Sequence, residues 1–369
     1  MFNLKLLLVK LLIMTGMLVG LPLLGVFLAG FPMGRYFQFP PQTQYVRHAP
    51  FTWSAFAIFA FMIAAVVLPI TIQGIRSYNK DTVTRPDSNS EGFPRWGWLG
   101  VAIGVPTWIL AWTRFPWFAE WQPHTFSPLW LAYIIVVNAI CVRRTGRSLM
   151  TNQTLFFLLL FPASAIFWWF FEYLNRFVQN WFYVGVDFRP WQYFWFATLP
   201  FSTVLPAVLS TRQLFLSFKW IQRAFSHFPP ITINNPARPA FVSLLLAAVG
   251  LTVIGIYPTY LFPLLWVSPA LIITALQALM KEQHIFTEMG KGNWSGAVAV
   301  VLAALFCGLF WEMWNYFSLA KWQYSVPLVH RFEIFEMPLL GYAGYLPFGL
   351  ECLVVGTAFK RLLNQGQNQ

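Results

Sequence analysis

Two short stretches set a carboxylate and a carboxamide three residues apart in otherwise apolar sequence. They are Glu172 and Asn175 in "FFEYLNRF", and Glu312 and Asn315 in "FWEMWNYF". Residues at i and i+3 lie on one face of a helix. A carboxylate so placed can serve as a general acid/base or hold a polar headgroup, while the carboxamide orients it. Arg176, next to Asn175, and Arg331, in a later loop, offer guanidinium groups for an anionic moiety. Trp311 and Trp314 add flat apolar faces for a substrate. Two blander readings stand beside this one. Each glutamate could end a helix at an interface where Trp168, Trp169, Trp311 and Trp314 form an aromatic belt. Each could instead be buried and hydrogen-bonded for structure alone.

Glu351 is a third candidate, about 20 Å down a helix that starts near Pro338, at 1.5 Å per residue. A carboxylate at that depth needs a hydrogen-bond partner or acts as a proton carrier. Pro347, one turn earlier, is expected to kink the helix and free a carbonyl. His330, Glu333 and Glu336 recur every three residues, and one histidine with two carboxylates can bind a divalent metal. Their spacing matches no metal motif, so they are weak candidates only; the favoured reading is an exposed amphipathic turn, and no metal is expected. No cofactor is expected: the chain has no Walker loop, dinucleotide fingerprint, G-x-S-x-G elbow or H-E-x-x-H. Cys141, Cys307 and Cys352 fall in apolar runs without ligand spacing.

The elements that must position these groups are membrane helices. Of 369 residues, 58% are hydrophobic and 10% charged, with mean hydropathy +0.58. Repeated apolar runs of about 20 residues are what spanning helices require. The expected fold is an all-α polytopic integral membrane bundle. Ten helices are predicted over 8–30, 51–72, 96–113, 128–142, 154–174, 191–210, 240–257, 259–280, 294–317 and 338–359. With both termini cytoplasmic, 17 of the 24 Lys and Arg residues fall on the cytoplasmic side, as the positive-inside rule demands. That distribution reads the net charge of +12 as orientation in a bacterial inner membrane and not as nucleic-acid binding. The first span is expected to be an uncleaved anchor, since its apolar core is longer than that of a signal peptide.

The two Glu/Asn pairs match at an offset of 140 residues. Trp181 and Tyr183 match Trp322 and Tyr324 at 141, and Leu199-Pro200-Phe201 matches Leu346-Pro347-Phe348 at 147. The slow drift predicts tandem parallel four-helix repeats at 96–211 and 240–361. A two-helix N-terminal unit (1–78) and a cytoplasmic linker (79–95) precede them. A connector at 212–239, beginning with an amphipathic interfacial helix, joins them, and a tail (362–369) follows. The expected function is a membrane enzyme or carrier for a lipidic or isoprenoid-type substrate at the outer half of the repeat interface. The expected partners are membrane lipids and that small molecule. Two alternatives are a proton-coupled secondary transporter using Glu351 and a structural or assembly subunit of a membrane complex.

Overall fold

The computed structural model describes residues 4–41, 43–79 and 92–366. Residues 80–91 of the expected linker and 367–369 of the tail lie outside them. The chain is mostly helical, and among the described residues eight helices are long and apolar enough to cross a membrane. It is an integral membrane protein by that criterion.

The first span joins α1 (Leu4–Thr15) to α2 (Leu21–Leu28) through one π turn. It packs on α11 (Ala237–Ile254), where Gly25 and Gly255 let backbones meet: a Cβ on Gly25 would lie 1.9 Å from Thr252 O. In lipid, where no hydrophobic force drives helices together, small residues permit such close van der Waals packing. The second span, α3 (Trp53–Asn79), touches the bundle near its two ends. Phe59 faces Phe262 at one end, and Gln73 donates to Ala224 O at 3.0 Å at the other.

Two similar successions follow. The first is α4 (Arg95–Trp112), α5 (Phe126–Thr145), short α6 (Leu149–Asn152), α7 (Thr154–Val178), strand β1 (Trp181–Val184), α8 (Pro190–Phe201) and α9 (Val204–Leu216). After α10 (Lys219–Phe225) come α11 (Ala237–Ile254), short α12 (Pro258–Leu261), α13 (Leu264–Leu279), short α14 (Ile285–Met289) and α15 (Ser295–Tyr316). Strands β2 (Lys321–Tyr324), β3 (Glu333–Ile334) and β4 (Met337–Pro338) precede α16 (Tyr345–Gly366). Helix α4 packs on α5 as α11 packs on α13, and α5 on α9 as α13 on α16. Two of the ten expected spans fall outside the eight. They are α4, an 18-residue helix with three glycines, and α13, whose 16 residues are short of a full span.

The centre of the bundle is α15 lying on α9 and α16. Its buried stripe of Val300, Ala303, Ala304, Cys307 and Gly308 is small enough for close approach. Two expectations shift here. Residues 339–344 form a 3-10 turn, so α16 begins at Tyr345 and Pro347 sits in its first turn, where a missing N–H costs nothing. Glu351 is therefore in the second turn of α16. The segment expected to lie on lipid breaks after α9, and α10 buries Ile221, Ala224 and Phe225 against α3 and α15. Protein, rather than headgroups, covers that part of the apolar face.

Candidate functional site

Helix α7 ends where Gln179 takes a left-handed conformation (φ 50) and turns the chain back into β1. Asn175 fixes that turn. Its Nδ2 donates to Trp181 O at 2.8 Å and its Oδ1 accepts from Asn180 N at 2.8 Å. Alternate residues of a strand share a face, so Trp181 and Tyr183 both point back at Glu172, one helical turn before Asn175. Glu172 Oε1 accepts from Tyr183 OH at 2.6 Å, Trp181 Nε1 at 3.0 Å and Trp168 Nε1 at 3.2 Å.

The end of α15 is built the same way. Asn315 Nδ2 donates to Trp322 O at 2.8 Å, and its Oδ1 accepts from Trp322 N at 2.9 Å. Glu312 Oε1 accepts from Tyr324 OH at 2.7 Å and from Tyr345 OH at 3.0 Å. Trp322 Nε1 donates to Tyr324 OH at 2.8 Å. Tyr345 reaches in from α16 only because residue 308 is glycine, where a Cβ would lie 2.4 Å from the Tyr345 ring. Each Glu/Asn pair is thus a latch: the carboxamide pins the strand and the carboxylate gathers its aromatic donors.

The strands of the two latches pair with each other. The antiparallel register sets Trp181 opposite Tyr324, Phe182 opposite Gln323, and Tyr183 opposite Trp322. Exchanging positions by the 141-residue offset maps this ladder onto itself about the Phe182–Gln323 pair. Ser325 N donating to Asn180 O at 2.8 Å extends the ladder beyond Trp181 and Tyr324.

Both glutamates are completely buried, and Oε2 of each has no hydrogen-bond partner among the described residues. Burial, with the adjacent glutamate, holds the Tyr183 and Tyr324 phenols well above the usual tyrosine range. Both are neutral donors at physiological pH. Between the latches lies a cavity of about 330 Å³. One wall carries Trp168, Trp181 and Tyr183; the other carries Trp311, Tyr324 and Tyr345. Asp187 and Lys321 are the charged residues lining it, and Lys321 is paired with Glu336. The carboxylates sit behind this aromatic layer and reach the cavity through the tyrosine hydroxyls.

The other candidates from the sequence scatter. Trp311 lines the cavity, but Trp314 is buried against Trp130 and Phe310 behind it. Arg176 is consumed in structure: its guanidinium donates to Arg35 O at 2.9 Å and to Gln38 O, tying down the loop after α2. Arg331 lies exposed over Phe51, Trp53 and Phe332. Neither arginine lines the cavity, so the expected anion clamp does not form. The weak metal candidates His330, Glu333 and Glu336 find separate partners. His330 Nδ1 accepts from Val326 N at 3.2 Å and Nε2 meets Glu333 Oε1 at 3.0 Å, while Glu336 turns to Lys321. Among the described residues no three His, Cys, Asp or Glu side chains converge as metal ligands. Glu351 is fully buried; its Oε1 accepts from Ala270 N at 3.2 Å, beside Pro269 in α13, and it lines neither this cavity nor the larger one behind it.

Sequence reasoning treated Trp181, Tyr183, Trp322 and Tyr324 as markers of similarity and not as donors. The signal was present: W-x-Y follows each E-x-x-N within a short turn, and period two aims both rings at one face. Tyr345 had no such signal. No protein-family model, no curated protein and no solved structure matches this chain.

Proposed function

We propose that this is a membrane enzyme that binds a lipidic, isoprenoid-type substrate in the cavity between the two latches and does acid–base chemistry at its polar end. The observation that carries the reading is the cavity wall itself. Two completely buried carboxylates, one from each half, stand behind neutral tyrosine hydroxyls at a space with thirteen aromatic side chains among its lining residues. A substrate proton taken by Tyr183 or Tyr324 oxygen is balanced by release of that phenol's own proton to Glu172 or Glu312. The aromatic faces suit an apolar or positively charged reacting centre. With Arg176 and Arg331 engaged elsewhere, a strongly anionic group has no evident partner.

The similar succession of elements and the self-mapping strand register support two tandem parallel four-helix repeats. Ten membrane-embedded helices follow if α4 and α13 lie in the bilayer with the other eight. The Lys and Arg distribution supports cytoplasmic termini in a bacterial inner membrane, with the strand pair on the outer face. Proton coupling at Glu351 gains no comparable support, because that carboxyl accepts from Ala270 N within α13 and lines neither cavity.

The test is gentle purification with mass spectrometry of co-purifying small molecules, for wild type and Glu172→Gln/Glu312→Gln. A specific lipid held by wild type, and lost or replaced by an unconverted relative of it in the double variant, is the expected result. The same bulk lipids in both preparations would overturn the proposal.

A further inference from the structure

Behind the central cavity lies a larger one of about 650 Å³, between α3 and the α13, α15 and α16 face. It exists because α3 is held near its ends and stands away from the bundle between them. At one end Thr52 N donates to Leu328 O at 2.9 Å and Phe56 packs on Phe332; at the other, Gln73 holds Ala224 O. The side of α15 facing the gap carries Ala297, Val298, Val301, Leu302 and Leu305, spaced to share one helix face. Met62, Ile63 and Val66 of α3 face them.

Two features say what such a slot would take. Trp181, Trp266, Tyr324, Met337, Gly341 and Gly344 line both this slot and the central cavity, so the two spaces meet along these residues. The slot also extends from Tyr324 at the latch end toward Phe286 and Trp294 at the other membrane face, a path parallel to the spans. A ligand with its polar end at Tyr324 has a continuous apolar run before it, open to the bilayer beside α3. A largely apolar space of this size, with Asn180 and Tyr324 among its few polar groups at the latch end, has the usual layout of a small-molecule site.

We infer that the slot behind α3 seats the single hydrocarbon chain of the ligand whose polar end occupies the central cavity. This rests on the lipidic reading proposed above. Gly344 lies where the two spaces meet: a Cβ there meets the Trp266 ring at an ordinary 3.7 Å, whereas a large side chain would fill the space between them.

The experiment uses the full-length protein in detergent and a homologous series of straight-chain primary alcohols as probes, with bound alcohol counted by native mass spectrometry. Wild type is expected to retain longer chains better, up to a plateau. Ala297→Phe fills the far end, and Val66→Phe fills it from the lipid-exposed wall, where folding is little at risk. Both should move the plateau to shorter chains and lower retention of the longest at least tenfold. Gly344→Phe should lower retention of all long chains. If the three slot variants match wild type while Tyr324→Phe weakens retention, the chain assignment is wrong and the cavity reading survives. If Tyr324→Phe also matches wild type at every length, both readings fall.

Discussion

The two latches use the same glutamate and asparagine but recruit their last donor from different places. In the first, Trp168 sits one turn before Glu172 on α7 itself and donates to it. The residue at the corresponding 140-residue offset is Gly308, which donates nothing. Its missing side chain opens the space through which Tyr345 of α16 reaches Glu312. The first latch is therefore closed within α7 and β1, while the second ties α15 to α16. An internal donor makes a latch self-sufficient; a borrowed donor makes it a joint between helices.

The strongest way to break this comparison is to impose the first arrangement on the second. Gly308→Trp should clash with Tyr345 and destabilise the protein by more than the ~1–3 kcal/mol usual for overpacking. Adding Tyr345→Ala should recover much of that loss. A thermal-unfolding double-mutant cycle that shows additivity would mean that the two sites are not exchanging one donor.

Next come the asparagines. Asn175→Ala and Asn315→Ala each leave buried strand groups unpaired, at about 1–3 kcal/mol per group. Both should lower unfolding temperature and expose the strand pair to proteolysis, with similar size because both carboxamides make two backbone bonds. A marked inequality would show that the ladder does not weigh on them equally.

Smaller effects sharpen the contrast. Tyr345→Phe removes one of two hydroxyl donors to Glu312, and Trp168→Phe removes one of three donors to Glu172. Each should cost about 1 kcal/mol, the tyrosine change more. Only Tyr345→Phe should loosen α16 against α15, read as faster amide exchange in the first turns of α16. The smallest expected signal is alkaline. Tyr183 and Tyr324 have phenols raised by burial, so their contribution is fully present below the unfolded value near 10 and is lost as pH rises toward their folded values. Unfolding temperature should fall above about pH 10, and less steeply in Tyr183→Phe/Tyr324→Phe. Identical alkaline profiles would remove the phenols from the explanation.

How much of this was legible beforehand follows from the range of each interaction. Helix spans could be read because hydropathy is a local average. The Glu/Asn pairs stood out because i and i+3 share a face regardless of what surrounds the helix. The ends of helices were harder: the last span begins at Tyr345 and not near Pro338, because 339–344 tighten into a 3-10 turn that hydropathy does not register. Charged residues were read worst. Arg176 looked free beside Asn175, yet it is spent on carbonyls of residues 35 and 38, far away in sequence. Glu336 spaced well with His330, yet Lys321 claims it.

The sequence by itself therefore determined that the chain lives in a membrane, where most of its helices run, and that one polar device is written twice. Tertiary structure alone decided that the two devices face each other across a cavity, that their strands pair, and that Gly308 exchanges one donor for another. The physical reason is that a buried carboxylate must find hydrogen-bond donors wherever packing brings them. For Glu172 those donors come from its own helix and the strand that follows it. For Glu312 one comes from another helix, and no local pattern announces it.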